Sequence, residues 1–233
     1  MFDKEVPQRL VTMKICLLLP AYNEAKTIGC IIKKARAYIE SIIVIDDGST
    51  DETVQVAREH GVVVLQHKIN CGKGMALRTG FKYALEHNYD IIITMDSDGQ
   101  HEPADIPRFL AHLGQNDADI LIGARVLERE KMPLHRRLNN KLISRVGSLL
   151  CGQNVVDFQC GFRLFKGEVL RSITLETVRY ETESELLIKA GRLGFRIGTL
   201  PIKTIYNGEI SNVKPLREIY LFTRMFLKNL KDL

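Results

Sequence analysis

Apolar residues fall along this chain in two alternating rhythms. Short unbroken runs at 15–19, 42–45, 62–65, 91–95 and 120–122 lack the polar interruptions of a half-exposed strand. Each therefore predicts a strand, and the run at 91–95 one buried on both faces. Between the runs, apolar positions recur at three- and four-residue spacing. Ile28, Ile31, Ile32 and Ala35 mark a helix over about 24–38, with Asn23 as a candidate N-cap. Ser49 or Thr50, followed by Glu52 or Thr53, starts a second helix that stops at Gly61. The segment Asn70-Cys71-Gly72-Lys73-Gly74 opens a third, carrying Ala76, Leu77, Phe81, Ala84 and Leu85, and a fourth spans about 104–113. Strands alternating with helices at this spacing form βαβ units, which makes the fold class α/β with a mostly parallel sheet.

From Arg125 the rhythm changes. Residues 129–137 are dense in charge around Pro133 and read as a loop that orders on binding, ahead of a helix over about 138–150. Phe and Cys mix around Gly161 in a strand predicted at 158–165. A helix over about 181–193, a strand over about 196–205 and a last helix over about 215–230 complete the pattern. With no internal repeat and no clear linker, the reading is a single domain over 1–233. Its nucleotide-binding half is about 14–125 and its acceptor half about 126–233.

Composition narrows the function. The chain has 233 residues, 45% hydrophobic and 26% charged, and a formal net charge of +5. That excess is too small for a nucleic-acid binder and suits anionic small molecules or an anionic membrane surface. Cys16, Cys30, Cys71, Cys151 and Cys160 are scattered, odd in number and never in a C-x-x-C arrangement. They read as reduced thiols without a zinc site or disulfide framework. Asp3, Glu5 and Pro7 before Arg9 do not make a signal peptide, and no apolar run approaches the ~20 residues of a membrane span. The expectation is a cytoplasmic protein, soluble or peripheral on the inner face of a membrane.

The chemistry concentrates at Asp96-Ser97-Asp98-Gly99-Gln100-His101, directly after the fourth buried run. Two carboxylates two residues apart, where a strand ends, can both turn toward one cation. Hard oxygen ligands of this kind suit Mg²⁺ or Mn²⁺ with positions left open for substrate phosphates, and Gln100 adds a neutral oxygen. An EF-hand does not fit, because Gly99 is fourth in the loop and Pro107 stands where its last Glu belongs. Pro20-Ala21-Tyr22-Asn23-Glu24 follows the first strand: Tyr22 can stack on a base and Glu24 can accept from ribose hydroxyls or base edges. Asp47 ends the neighbouring strand, where an acidic residue bonds ribose in dinucleotide folds. A G-x-G-x-x-G fingerprint is absent, which disfavours nicotinamide and flavin enzymes. Gly72-Lys73-Gly74 at a helix start can present N–H groups to a phosphate, although its spacing is not that of a P-loop.

Taken in order, residues 20–24, Asp46-Asp-Gly-Ser-Thr-Asp51, Asn70-Cys-Gly-Lys-Gly-x-Ala76, residues 96–101 and Gly123-Ala-Arg125 resemble the family 2 inverting glycosyltransferases. Within them the chain looks most like the polyprenyl-phosphate sugar synthases. Cys160-Gly-Phe-Arg163, Tyr180-Glu-Thr-Glu183-x-Glu185 and Pro201-Ile-x-x-x-x-Tyr206 extend the likeness over roughly residues 14–212. The resemblance implies a GT-A fold and a nucleotide-sugar donor, GDP- or UDP-linked, held by a divalent cation. By position it implies Pro20, Tyr22, Glu24, Ile45 and Asp47 around the nucleoside, with Asp96, Ser97 and Asp98 at the diphosphate. The same positions put Asp96, Asp98 and Gln100 around the metal and have Arg125 reach the donor or acceptor phosphate.

A lipid-phosphate acceptor is already ionised at neutral pH and needs no strong general base. If the acceptor is a hydroxyl, the Glu181/Glu183/Glu185 run can supply one, Glu183 foremost. That run also reads as the acidic first turn of a helix. Arg136, Arg137 and Arg163 are candidates to clamp an acceptor phosphate. The synthase pattern has an Arg and a Lys where this chain has Thr204 and Asn212, with Lys203 or Lys214 as substitutes. The last helix sets Leu216, Ile219, Tyr220, Phe222, Phe226, Leu227 and Leu230 against Arg217, Arg224, Lys228 and Lys231. Such a stripe lies on an anionic membrane, covers the core or pairs two subunits in a homodimer. Rival functions are transfer to a saccharide or small-molecule hydroxyl, nucleotidyl transfer, and a non-catalytic nucleotide-sugar-binding regulatory subunit.

Overall fold

A computed structural model describes residues 12–115, 117–125, 134–205 and 226. The predicted last helix, Tyr206, Ser211, Asn212 and Lys214 lie outside the described residues, as does the side chain of Arg136. In chain order the elements are β1 (Ile15–Ala21), α1 (Ile28–Ala35), β2 (Ser41–Asp46), α2 (Thr53–Glu59), β3 (Val63–Gln66), α3 (Lys73–Glu86) and β4 (Ile91–Thr94). A 3₁₀ turn (Pro103–Asp105) leads into α4 (Ile106–Gln115), followed by β5 (Ile120–Ala124) and α5 (Leu134–Cys151). The chain continues through β6 (Arg163–Lys166), α6 (Gly167–Arg171), α7 (Glu181–Arg192) and β7 (Ile197–Pro201).

Seven strands form one sheet in the order β3-β2-β1-β4-β6-β5-β7. All neighbours run parallel except β6, which is antiparallel to both β4 and β5. The β1 and β4 side chains are almost all buried, as unbroken apolar runs covered on both faces require. The chain first winds outward from β1 to β3, then returns through α3 to β4 on the other side of β1. That reversal opens a crevice at the carboxyl ends of β1 and β4, where open α/β sheets take their ligands. Strand β6, from the C-terminal part of the chain, sits between β4 and β5 in the same sheet.

The structure shifts several predicted boundaries. Helix α1 is the central part of the predicted 24–38 helix. Asn23 adopts a left-handed φ of 58° and does not cap it; its Oδ1 accepts from the Thr50 N–H at 2.8 Å. The Glu24 and Ala25 N–H groups donate to Thr53 Oγ1 and Asp51 Oδ2, so residues 23–25 bind the β2–α2 loop. Helix α5 begins four residues earlier than its apolar spacing suggested. Strand β6 covers only the end of the predicted 158–165 strand, and α6 has no counterpart in the sequence reading. Phe158 and Phe162 are nevertheless fully buried, Phe162 stacked on Phe109 at 4.4 Å between ring centres. Apolar content around Gly161 reports burial there, without an extended backbone.

Candidate active site at the carboxyl edge of the sheet

The loops after β1, β2, β4 and β5 and the segment before β6 meet at one edge. Ser97 binds the β4 loop to β1 by donating its hydroxyl to the Pro20 carbonyl at 2.9 Å, while its own carbonyl accepts from Thr27 Oγ1 at 2.6 Å. Pro20 and Ser97 are therefore scaffolding that fixes where Asp96 and Asp98 emerge. Tyr22 is 42% exposed beside them, open for stacking, and Glu24 is half-buried with Oε2 accepting from Thr27 Oγ1 at 3.0 Å.

Asp98 accepts the Gln100 N–H at 2.9 Å on Oδ1, and the Gln100 carbonyl accepts from Ile205 N–H at 3.0 Å. Burial, then the charge of neighbouring Asp96, pushes the Asp98 carboxyl above its ordinary range. Asp96 goes the other way. Burial alone would raise it, but the Lys73 ammonium holds it well below the usual carboxylate range. Lys73 Nζ lies 2.6 Å from Asp96 Oδ1 and 2.8 Å from Glu183 Oε2. Burial pulls that ammonium down, yet Asp96 and Glu183 together outweigh it and keep Lys73 charged. Gly161 backs Asp96 so closely that a Cβ there would lie 2.5 Å from Oδ2.

Several sequence-based assignments change. Ile45 has no exposed surface; its side chain packs against Gly80 of α3 and belongs to the core rather than the nucleoside pocket. The Asp47 carboxylate is consumed internally. It accepts the Cys71 N–H at 2.9 Å and the Gly72 N–H at 2.7 Å, with His67 Nδ1 at 2.8 Å, and so anchors the loop into α3 rather than reaching for ribose. Gly48 permits that loop's approach: its φ is +76°, and a Cβ would fall 2.5 Å from the Ile69 carbonyl carbon. Lys73 meets carboxylates, not the phosphate expected of a Gly-Lys-Gly turn.

Arg163 is 1% exposed and donates to the carbonyls of Cys160 (2.7 Å), Phe158 (2.8 Å) and Glu183 (2.5 Å). That spends the guanidinium on holding the turn before β6, so it is a structural cation and not an acceptor clamp. Of the three glutamates, Glu185 accepts from the Glu176 and Thr177 N–H groups and pairs with Lys189 at 2.7 Å. Glu183 instead faces Lys73 and, through it, Asp96.

The segment after β5 carries a different constellation. Arg125 donates through Nε and Nη2 to Asp157 at 2.7 and 2.9 Å, and Asn140 Nδ2 donates to the same carboxylate at 3.1 Å. Burial would raise the Asp157 carboxyl, but Arg125 holds it below its ordinary range. The fork leaves three of the five guanidinium N–H groups for another partner. Beside it opens a cleft of about 360 Å³ lined by Arg125, Arg137, Asn140, Lys141, Ser144, Arg145, Ser148, Asn154, Val155 and Val156. The sequence reading gave no site role to Asp157, to Gly161 or to His101, buried with Nε2 3.5 Å from Asp96 Oδ2. His101 ends the Asp-Ser-Asp motif and was visible there; Asp157 has no local signature at all.

A model of the family described as Glycosyl transferase family 2 matches residues 16–174. The chain belongs to glycosyl transferase family 2. The match runs from β1 through the turn of Gly161 and Arg163 and ends before Glu183. Among similar proteins is an uncharacterized protein of Methanocaldococcus jannaschii, 40% identical over 200 residues, 83% of this chain and 82% of that one. A UDP-N-acetylglucosamine–dolichyl-phosphate N-acetylglucosaminyltransferase of Methanococcus voltae is 35% identical over 82% of this chain and 86% of its own. An undecaprenyl-phosphate mannosyltransferase of Micrococcus luteus is 31% identical, covering 82% and 83%. The glucosyl-3-phosphoglycerate synthase of Mycobacterium tuberculosis, solved with Mn²⁺, UDP and glucosyl-3-phosphoglycerate, superposes with a TM-score of 0.71. That alignment covers 97% of this chain and 81% of the synthase at 23% identity, and it establishes the GT-A-like fold. The same synthase is also known with Mg²⁺ and UDP. The protein is a glycosyltransferase with a mostly parallel sheet flanked by helices, as the motif order implied.

Proposed function

We propose that the protein transfers one sugar, with inversion, from a nucleotide-sugar donor to a polyprenyl phosphate. The observation that carries this reading is the cleft beside Arg125. Arg125, Arg137, Lys141 and Arg145 line it, and no carboxylate does among the described residues. Such a lining suits an anionic acceptor. An acceptor hydroxyl would need a carboxylate poised to take its proton. Glu183 is instead bound to Lys73, whereas an ionised phosphate attacks without a base. Relatives named for dolichyl-phosphate and undecaprenyl-phosphate transfer support the same class.

The paired carboxylates fit a divalent cation, Mg²⁺ or Mn²⁺: both offer hard oxygens, and Asp98 is raised by burial and then by its neighbour's charge, a conflict that a cation relieves. When bound, the ion offsets the negative charge growing on the departing nucleoside diphosphate. Asp98 and Asp96 would hold it, with the Gln100 side chain as a neutral third ligand. Tyr22 stacks on the base and Glu24 accepts from the nucleoside. Lys73 keeps Asp96 ionised and in place. Arg125, aimed by Asp157, uses its remaining N–H groups to orient a phosphate.

The test is donor turnover by purified protein with Mn²⁺ or Mg²⁺, across GDP- and UDP-sugars, with and without polyprenyl phosphate. Nucleoside diphosphate released only when the lipid phosphate is present is the expected result. Release that ignores the lipid, or that requires a saccharide hydroxyl, overturns the acceptor assignment while leaving the family intact.

A further inference from the structure

Helix α5 is anchored through one face. Ile143, Leu150 and Cys151 are buried, and Gly147 lies so close to Phe158 that a Cβ would meet its ring at 2.6 Å. The opposite face holds three large apolar side chains in the open: Leu138, Leu142 and Leu149 are 60, 62 and 80% exposed. At helical spacing these leucines fall within an arc of about 40° and a length of about 16 Å. A helix that only covers a core carries polar residues on its outer face. Along one flank, Arg137, Lys141 and Arg145 recur every four residues, and residues 134–151 contain neither Asp nor Glu.

We propose that this face of α5 docks on an anionic lipid bilayer. The leucines enter the boundary between headgroups and acyl chains while Arg137, Lys141 and Arg145 meet lipid phosphates. Charge selects the occupant. A row of cations with no acid among them matches a phosphate-rich surface, whereas a two-fold contact with a second copy sets the same cations against each other. The three cations also line the cleft beside Arg125, so a helix lying in the headgroup layer brings that cleft to the depth of lipid phosphates. The docking does not depend on which acceptor the enzyme uses, since vesicle binding reads it without turnover.

The experiment is co-sedimentation of the full chain with phosphatidylcholine vesicles, with or without phosphatidylglycerol. Binding is expected only to the anionic vesicles and should weaken with salt. The triple variant Leu138→Ser/Leu142→Ser/Leu149→Ser should bind at least about tenfold more weakly. Its melting temperature should not change, because these side chains are exposed. Amide exchange on vesicles should slow over residues 134–151. Three outcomes overturn the proposal. One is a wild-type protein that ignores anionic vesicles. Another is a triple variant that binds like wild type, which moves the affinity to another segment. The third is a triple variant that changes oligomeric mass without changing vesicle binding, which makes the face a contact between copies.

Discussion

Replacing Gly161 by alanine adds one methyl group against the carboxylate on which the donor site turns. The new Cβ would lie 2.5 Å from Asp96 Oδ2 and 2.6 Å from its Cγ, where ordinary contact begins at 3.4 Å. Phe158 and Phe162 are buried on either side, so the backbone at 161 has little room to retreat and the carboxylate must move. The displacement is about 1 Å, enough to stretch the 2.6 Å Lys73–Asp96 pair past good hydrogen-bond length and to turn Asp96 from Asp98. Misplacement of that size costs about a hundredfold in rate, or about 3 kcal/mol of barrier. Stability should change less. Alanine restricts the unfolded chain by about 0.4–1 kcal/mol, which offsets part of the local crowding. The assay pairs nucleoside diphosphate release under saturating Mn²⁺ with a thermal melt. A fall in turnover of about two orders of magnitude, with the melting temperature within roughly 8 °C of wild type, is the expected result. Turnover within threefold of wild type in a folded Gly161→Ala protein would refute the reasoning, since Asp96 would then tolerate a shift that the geometry makes unavoidable.

Asp98→Ala should abolish donor turnover and weaken Mn²⁺ binding, measured by electron paramagnetic resonance, while the circular dichroism spectrum stays native. Retained Mn²⁺ affinity would remove Asp98 from the metal site. Arg163→Ala should act on stability rather than on acceptor use. Three carbonyls lose their donor at about 1 kcal/mol each, so denaturant unfolding should show a loss of about 3 kcal/mol; an undiminished midpoint with a raised acceptor KM would return Arg163 to the site. The Arg125–Asp157 pair gives a pH signature. Arg125 depresses the folded Asp157 carboxyl, so the pair's stabilisation is complete above the unfolded value of about 4 and fades as pH falls through the lower folded one. The stability deficit of Asp157→Asn against wild type should therefore be full at neutral pH and shrink in acid, and a deficit independent of pH would show that ionisation of Asp157 is not what holds Arg125.

The local pattern of the chain determined most of the architecture. Unbroken apolar runs formed the strands, β4 among them covered on both faces although edge strand β3 is not, and the turn that ends β4 lies at a sheet edge, so Asp96 and Asp98 were legible as a candidate cation site from residues 91–101 alone. The order of short motifs carried the family. Tertiary structure decided which polar groups remain available at that edge. Asp47 and Arg163 read as ligand-facing because each is a charged residue beside an apolar run. In the fold, Asp47 meets the amides of residues 71 and 72, and Arg163 meets carbonyls brought together by the turn before β6. Lys73 finds Glu183 because α7 packs near the start of α3, and Arg125 finds Asp157 across the loop that precedes β6. These pairings join residues 110 and 32 positions apart. Hydrophobic periodicity records only whether a residue is covered. It carries no information on which distant donor or acceptor covers it, and the antiparallel insertion of β6 between β4 and β5 settles that.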